Sequence, residues 1–463
     1  MKKTDVIIVG AGPAGCFLAK KLAECGLKVV ILEAMDEPGS NWEIAIEKSA
    51  FGETNLQLPP KKIWQENPEL KKYFAINMNN SVEIKLKDDD ELIILHKDFN
   101  NYLLEKATKA GVTFMSKHRV KNINYDISND TLEGVSGVYR TKQLFKKELE
   151  LHFDFKADMI VDASGINSVI RKQLPATYML RNKIEQEEFV FAWNEVRKVN
   201  KSQLNQIEDI FHLKPGMAYL ALGRHRAYEL MHVKKDNTVG LVFGSNQSKP
   251  AVVIAREFLE KYNFFGERIR SAGRQIPLRR ALDTMIGDHF ACIGDSACQV
   301  IPTMGSGVAS SMYAADILSK AINKAFNRND FSYQKLWSYN HRYQSGRGAT
   351  LASFDIMRRF LQNISHEEIE VLFSSKLLTK EMLTNTFNST NIRFDVANIF
   401  EKIMNLFSRK KLGFGQKLMR AMNDSHKILQ LYRNYTVRYD KKAYERWRKK
   451  TREIFKKYNK INI

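Results

Sequence analysis

Cysteine is scarce in this sequence: Cys16, Cys25, Cys292 and Cys298 are the only four in 463 residues. That density excludes a disulfide-stapled fold, and none of the spacings suits a zinc site. A reducing cytoplasm is the simplest setting. Cys16 and Cys292, set in apolar stretches, read as small packing residues. Long apolar runs are also missing. Nothing approaches the roughly 18–20 residues that a spanning helix needs. The run Val6 to Val9 is too short for the core of a secretory signal. The expectation is a cytoplasmic protein, at most peripheral to the inner face of a membrane. Acidic residues are in deficit, 52 Asp and Glu against 73 Lys and Arg, for a net charge of +21. Two thirds of that surplus lies between Met404 and Ile463, where 18 basic residues face 4 acidic ones. Such a block favours anionic partners such as lipid head groups, phosphorylated substrates or nucleic acid. Internal repeats and low-complexity linkers are absent too.

The chain does hold enough apolar residues, 44%, for large cores, and its length suits two or three domains. Thr4 to Ala34 reads as strand, tight turn, helix, strand. Val6-Ile7-Ile8-Val9 is a short continuous run of the kind buried on both faces of a parallel sheet. Phe17, Leu18, Leu22 and Cys25 recur at helical spacing, Gly26 stops the helix, and Val29 to Leu32 is the next strand.

Gly10-Ala11-Gly12-Pro13-Ala14-Gly15 sits between that strand and helix and fits G-x-G-x-x-G. Gly10 permits the tight turn, Gly12 lets a pyrophosphate approach the backbone, and Gly15 lets helix and strand pack closely. The helix N-terminus offers free N–H groups to the phosphates. Glu33 closes the second strand, 18 residues beyond Gly15. A carboxylate there accepts hydrogen bonds from the adenosine ribose and repels a 2′-phosphate. The reading is a dinucleotide site without NADP.

Two further segments select the cofactor. Asp162-Ala163-Ser164-Gly165-Ile166-Asn167-Ser168-Val169-Ile170-Arg171 is similar to the D-A-x-G-x-x-S-x-x-R stretch of FAD-dependent oxidoreductases of the aromatic-hydroxylase structural class. Ile293-Gly294-Asp295-Ser296-Ala297, followed by Pro302 and Gly305-Ser306-Gly307-Val308, resembles that class's second signature. The resemblance covers about residues 1–330. It implies an FAD site made by Gly10, Ala11, Gly12, Pro13, Ala14, Gly15, Glu33, Ala34, His96, Val120, Asp162, Gly165, Gly294, Asp295, Pro302, Gly305, Gly307 and Val308. Asp295 would meet the ribityl chain. Free N–H groups at Gly307 and Val308 would face the reduced flavin's N1/C2=O edge. His96 stands where the class usually has an Arg.

Within that class the sequence resembles the geranylgeranyl reductase family. The implied fold is α/β (α+β overall), with three parts. Residues 1–175 and 270–330 form a Rossmann-type FAD-binding domain. Residues 176–269 form an inserted antiparallel sheet for substrate, and residues 331–463 a helical, basic C-terminal extension. The implied activity is reduction of C=C bonds in a prenyl lipid. Phe189, Phe191 and Trp193 share one strand face and, with Tyr219, are candidates for an apolar tunnel, or they pack the sheet on its neighbour. No catalytic acid or nucleophile stands out; His212, His225 and His232 lie on the substrate sheet without a motif around them. The single G-x-G-x-x-G means that a reductant, NAD(P)H or ferredoxin, docks transiently. The basic aromatic tail suits an anionic membrane surface. No metal site is expected.

Two segments differ from the family pattern. Gly39-Ser40-Asn41-Trp42-Glu43 replaces the usual Cys-Gly element, and Pro215 to Leu220 replaces an aromatic Trp-x-x-Pro segment. They leave the particular substrate open. The alternatives are a flavin monooxygenase of an aromatic or other apolar molecule, a flavoprotein that binds or modifies RNA, and a flavoprotein with a binding role only. No W-x-W-x-I-P halogenase motif and no RNA-binding motif occurs.

Overall fold

The computed structural model describes residues 3–75, 81–85, 91–128, 130–142, 148–175, 177–180, 184–222, 228–245, 250–374 and 409–459. His225 falls outside these described residues.

The first sheet is parallel at its centre because its strands are buried on both faces. Strand β1 (Lys3–Val9) lies between β2 (Val29–Leu32) and the C-terminal half of β10 (Glu148–Asp162). Beyond β2 is β7 (Thr113–Met115), and beyond β10 is β17 (Phe290–Cys292), both parallel. β16 (Ile286–Gly287) closes that edge in the antiparallel sense. β8 (His118–Asp126) and β9 (Thr131–Lys142) form a meander on the first half of β10. Helices α1 (Pro13–Glu24), α3 (His96–Lys109) and α6 (Val308–Phe326) cover the faces. Val6, Ile7, Ile8, Met159, Ile160 and Val161 are shut off from solvent.

The second sheet runs β15 (Arg268–Pro277), β11 (Phe189–Lys198), β14 (Thr238–Ser245), β13 (Tyr228–Val233), β12 (Met217–Leu222), β4 (Leu70–Ala75), β5 (Ser81–Lys85). It is therefore not confined to 176–269. β4 and β5 come from the segment before the meander, and β15 runs on to residue 277. β4 and β5 are short, five or six residues each, and so carry little alternation of their own in the sequence. A small third sheet pairs β3 (Glu43–Glu47) with β6 (Glu91–Leu95); α2 (Ser49–Glu53) follows β3.

Helix α4 (Lys201–Phe211) was also absent from the sequence reading. Its signal was Asn200 with Gln203, a reciprocal capping pair: the Asn200 side chain accepts from the Gln203 backbone N–H, and the Gln203 side chain accepts from that of Asn200. With α5 (Ala251–Lys261) it covers the outer face of the second sheet in a core of Ile207, Phe211, Val239, Leu241, Phe243 and Phe258.

The C-terminal helices are α7 (Tyr333–Ser345), α8 (Arg347–Asn363), α9 (His366–Ser374), α10 (Arg409–Arg433) and α11 (Lys441–Lys456). At the start of α9 the Ser365–Glu368 capping box forms as its spacing requires. These helices are not an appendage. Trp337, Tyr339, Tyr343, Tyr432, Tyr435, Tyr444 and Trp447 belong to the same core as β1 and β10. A buried charge network fastens them to the connector after β15. Asp283 accepts from Arg280, Arg448 and Arg452. Glu188 accepts from Arg279 and Arg359, and Asp355 from Arg358 and Arg359. Burial alone would raise the Asp355 pKa, but Arg359, Arg358 and Arg280 outweigh it and hold the carboxyl well below its ordinary range. Removing one partner of such a group leaves a buried charge uncompensated, at about 3–5 kcal/mol.

Candidate functional site

One cavity of about 640 Å³ runs between the first sheet and the inner face of the second. Its first wall is backbone. Gly10 has φ +104°, and a Cβ there would sit 2.5 Å from the Ala163 carbonyl oxygen. A Cβ on Gly15 would sit 2.2 Å from the Gly10 oxygen. Neither position accepts a side chain. Gly12 differs: a Cβ there meets nothing within 4 Å, because the residue faces the cavity. It is also the N-cap of α1 and supplies no side-chain cap. Gly307 plays the same part for α6. Two uncapped helix N-termini, each with unbonded N–H groups and a partial positive charge, therefore open onto one space.

Glu33 lines that space, and its carboxylate already accepts from the Ala11 N–H at 2.8 Å and the Met35 N–H at 2.8 Å. The remaining lone pairs are available to a ligand. Pro13, Ala14, Gly165, Gly294, Asp295, Gly305 and Val308 also line the cavity. Arg274, from β15, donates to Asp295 at 3.3 Å. His96 lines the cavity and is buried, and its Nε2 has no partner. Burial, then the nearby Arg274 guanidinium, push its pKa down to about 3, so the ring is neutral at neutral pH. Asn100, one helical turn on, donates to the Ala11 carbonyl at 3.0 Å and leaves its Oδ1 buried and unpartnered.

Six expected residues stand elsewhere. Ala11, Gly15, Ala34, Val120, Asp162 and Pro302 are not on the cavity surface. Ala11 is fully buried beside it. Val120 is buried in the meander. The buried Asp162 carboxylate accepts from Ser164 N–H, Ser164 Oγ and Ser168 Oγ. It shapes the turn that presents Ala163, Ser164 and Gly165. Sequence reasoning missed Asn100, Ser164 and Arg274. A helical Asn one turn after His96 was the available signal for the first; the other two belong to the fold.

The second wall is made of side chains. Registered pairs carry one row across four strands: Asn194 on β11, Val242 on β14, Leu230 on β13 and Leu220 on β12. All four line the cavity. Alternation turns the neighbouring residues outward. Trp193 pairs with Phe243 and packs in the core beneath α4 and α5. Phe189 and Phe191 meet edge to face, and Phe191 is 43% exposed. The proposed tunnel face of Phe189, Phe191 and Trp193 is thus the outer face of the sheet. Tyr219 borders the cavity, yet its ring stacks on Phe211 on the outer side. His212 caps α4 with φ +52° and does not line the cavity, whereas His232 does.

A family model described as lycopene cyclase protein matches residues 5–135, the span from β1 into β9. Over nearly the whole chain the similarity is to another group. A digeranylgeranylglycerophospholipid reductase of Sulfolobus acidocaldarius is 24% identical over 99% of this chain and 98% of its own length. One from Methanothrix thermoacetophila is 24% identical over 81% of this chain and 91% of its own. Over most or nearly all of its length the chain is thus similar to digeranylgeranylglycerophospholipid reductases. Among solved structures, a geranylgeranyl bacteriochlorophyll reductase-like protein of Thermoplasma acidophilum shares the fold, with a TM-score of 0.69 and 16% identity over 90% of this chain and 100% of that one. A flavin-dependent brominase shares it as well, with a TM-score of 0.61 and 16% identity over 88% and 100%. The cradle described above suits a dinucleotide: open backbone at Gly12, two helix N-termini without side-chain caps, and unpartnered buried polar atoms at His96 and Asn100.

Among the described residues no helix is long and apolar enough to cross a membrane. The aromatic face of α11, Tyr444, Trp447 and Phe455, is buried in the core and is not available to a lipid surface. Its opposite face, with Lys441, Lys442, Arg446, Lys449 and Lys450, is exposed.

Proposed function

We propose that this protein uses FAD to reduce C=C bonds of a prenyl lipid. The observation that carries the proposal is the continuity of one cavity, polar and backbone-lined at the cradle and apolar along Val242, Leu230 and Leu220, in a chain that resembles prenyl-lipid reductases from end to end. In this reading Gly10, Gly12 and the α1 N-terminus hold the pyrophosphate. Glu33 holds the adenosine ribose. Asp295, fixed by Arg274, meets the ribityl chain. The α6 N-terminus at Gly307 and Val308 stabilises negative charge on the ring. Bound there, FAD supplies the hydride. The protein's own part is to hold the alkene against the ring, keep water out and keep the chain extended. The apolar row does this by burial, at about 0.8 kcal/mol per buried CH2 group.

The electron donor docks transiently, since the one dinucleotide site is taken. NAD(P)H and ferredoxin both suit that requirement. The exposed basic face of α11 supports contact with an anionic membrane surface through charge alone. The test is a single turnover without oxygen. The holoprotein is reduced with dithionite and mixed with prenyl lipids. Flavin reoxidation with product masses rising in steps of two hydrogens is the expected result. Reoxidation only by O2, with oxygen inserted into an added aromatic, would replace this reading with monooxygenation.

A further inference from the structure

The row next to the apolar one is polar. Register places Gly240 of β14 beside His232 of β13 and His232 beside Ala218 of β12, with Lys71 of β4 next in line. His232 is 6% exposed, lines the cavity, and has an Nε2 atom with no hydrogen-bond partner. The Glu66 carboxylate faces it, with Oε1 at 3.9 Å from that nitrogen. This Oε1 is also buried and unpartnered, while the other oxygen accepts from the Lys235 N–H at 2.8 Å. The gap is too long for a direct hydrogen bond. A small group set to the side of this gap, at about 2.8 Å from each atom, would bridge the two.

The charges around the gap decide which group. Glu43, Glu66 and Glu91 line the cavity. Lys71 pairs with Glu91 at 3.2 Å, and Lys234 and Arg270 both pair with Glu43. Three cations are thus committed to two of these carboxylates, Glu43 and Glu91. Burial, then Lys234 and Lys71, push the His232 pKa down to about 3, so the imidazole adds no charge. A phosphate or diphosphate brought here would meet carboxylates with no uncommitted cation beside them among the described residues. A carbonyl could accept from His232 but could donate nothing to Glu66. A hydroxyl does both. Its oxygen accepts from an Nε2–H, and its proton goes to Glu66 Oε1.

Resting on the prenyl-reductase reading, we infer that the cavity recognises a prenyl substrate that ends in an alcohol hydroxyl, held between His232 and Glu66, rather than one that ends in a phosphate. The rows lie two residues apart on each strand, roughly 7 Å. A chain lying along Leu220, Leu230 and Val242 therefore reaches the pair without bending away from the sheet.

The test titrates the oxidised holoprotein with geranylgeraniol and with geranylgeranyl diphosphate, following the flavin absorbance. The alcohol should bind at least about tenfold tighter, which is about 1.4 kcal/mol. His232→Phe should weaken the alcohol by about tenfold and leave the matching hydrocarbon without a hydroxyl within about twofold. Glu66→Gln, which keeps the shape, should weaken the alcohol as well and guards against a folding defect at His232. Tighter binding of the diphosphate, or unchanged alcohol affinity in both variants, would overturn the hydroxyl assignment alone. No spectral response to any of the three prenyl compounds would remove the prenyl reading itself.

Discussion

Where the cavity meets the first sheet it is bounded by backbone, and where it meets the second it is bounded by side chains. The first wall works by what is absent. Gly10 and Gly15 have no room for a Cβ, Gly12 leaves its space to a ligand, and two helices begin without caps. The second wall works by what is present: Leu220, Leu230 and Val242 for an apolar chain, His232 and Glu66 for a polar end. A backbone wall suits a group that must sit in one place with its phosphates on N–H donors. A side-chain wall can be re-cut for another substrate without disturbing the cofactor. Shared folds among reductase-like and brominase proteins fit that division.

The sharpest way to break the first wall is Gly10→Val. It adds a branched side chain at φ +104°, where even a Cβ would clash with Ala163. Flavin content in the purified protein should fall to background, together with a lowered melting temperature by calorimetry. The matching change in the second wall is Leu230→Trp. It should fill the apolar row and abolish prenyl turnover, by more than about 100-fold, with flavin content unchanged. A variant that loses both would show that the two walls are not separable.

Glu33→Ala sits between these in size. It removes a charge-assisted acceptor from the Ala11 and Met35 amides as well as from the ribose, at about 1.5–3 kcal/mol. Flavin titration of the apoprotein should show a dissociation constant raised by about 10- to 100-fold. Equal affinity would remove the ribose assignment.

pH separates the walls from the rest of the core. His96 in one wall and His232 in the other are held neutral, with pKa values near 3 against an ordinary 6.5. Below 6.5 the unfolded chain takes up two protons that the folded one refuses. Stability is therefore full above that pH and falls as pH drops toward 3, by up to roughly 2–3 kcal/mol per pH unit for the pair. The carboxylates Glu188, Asp283 and Asp355, whose pKa values lie below their ordinary ones, add their loss only at lower pH. Urea unfolding of the apoprotein between pH 7 and 5 should show this slope, and His232→Phe should reduce it by about half. The smallest effect belongs to the sheet's outer face: Phe191→Ala should change prenyl turnover by less than about twofold.

The same division explains what could be read from the sequence. Gly10 to Gly15, Glu33 and the Gly294 to Val308 segment are local patterns, each within one loop and its flanking elements, and all converge on the cavity. Asp162 was read as a ligand because its motif is correct, yet its carboxylate is spent on Ser164 and Ser168. The second wall takes one residue from each of several strands, and period-two alternation alone leaves open which face is inward. Phe189, Phe191 and Trp193 shared a face, but Trp193 packs beneath α4 and α5, Phe191 is exposed, and α4 was not foreseen. The basic aromatic tail was read as suited to a membrane surface, yet Tyr444 packs on Trp337, which is distant in sequence, and Trp447 on Tyr435.

The most direct test is a crystal structure of the holoprotein with a prenyl alcohol bound. The account predicts the isoalloxazine against Gly305 to Val308 and the prenyl chain along Leu220, Leu230 and Val242. A chain seated on the Phe189–Phe191–Trp193 face, or a flavin ring lying across Leu230, would contradict it.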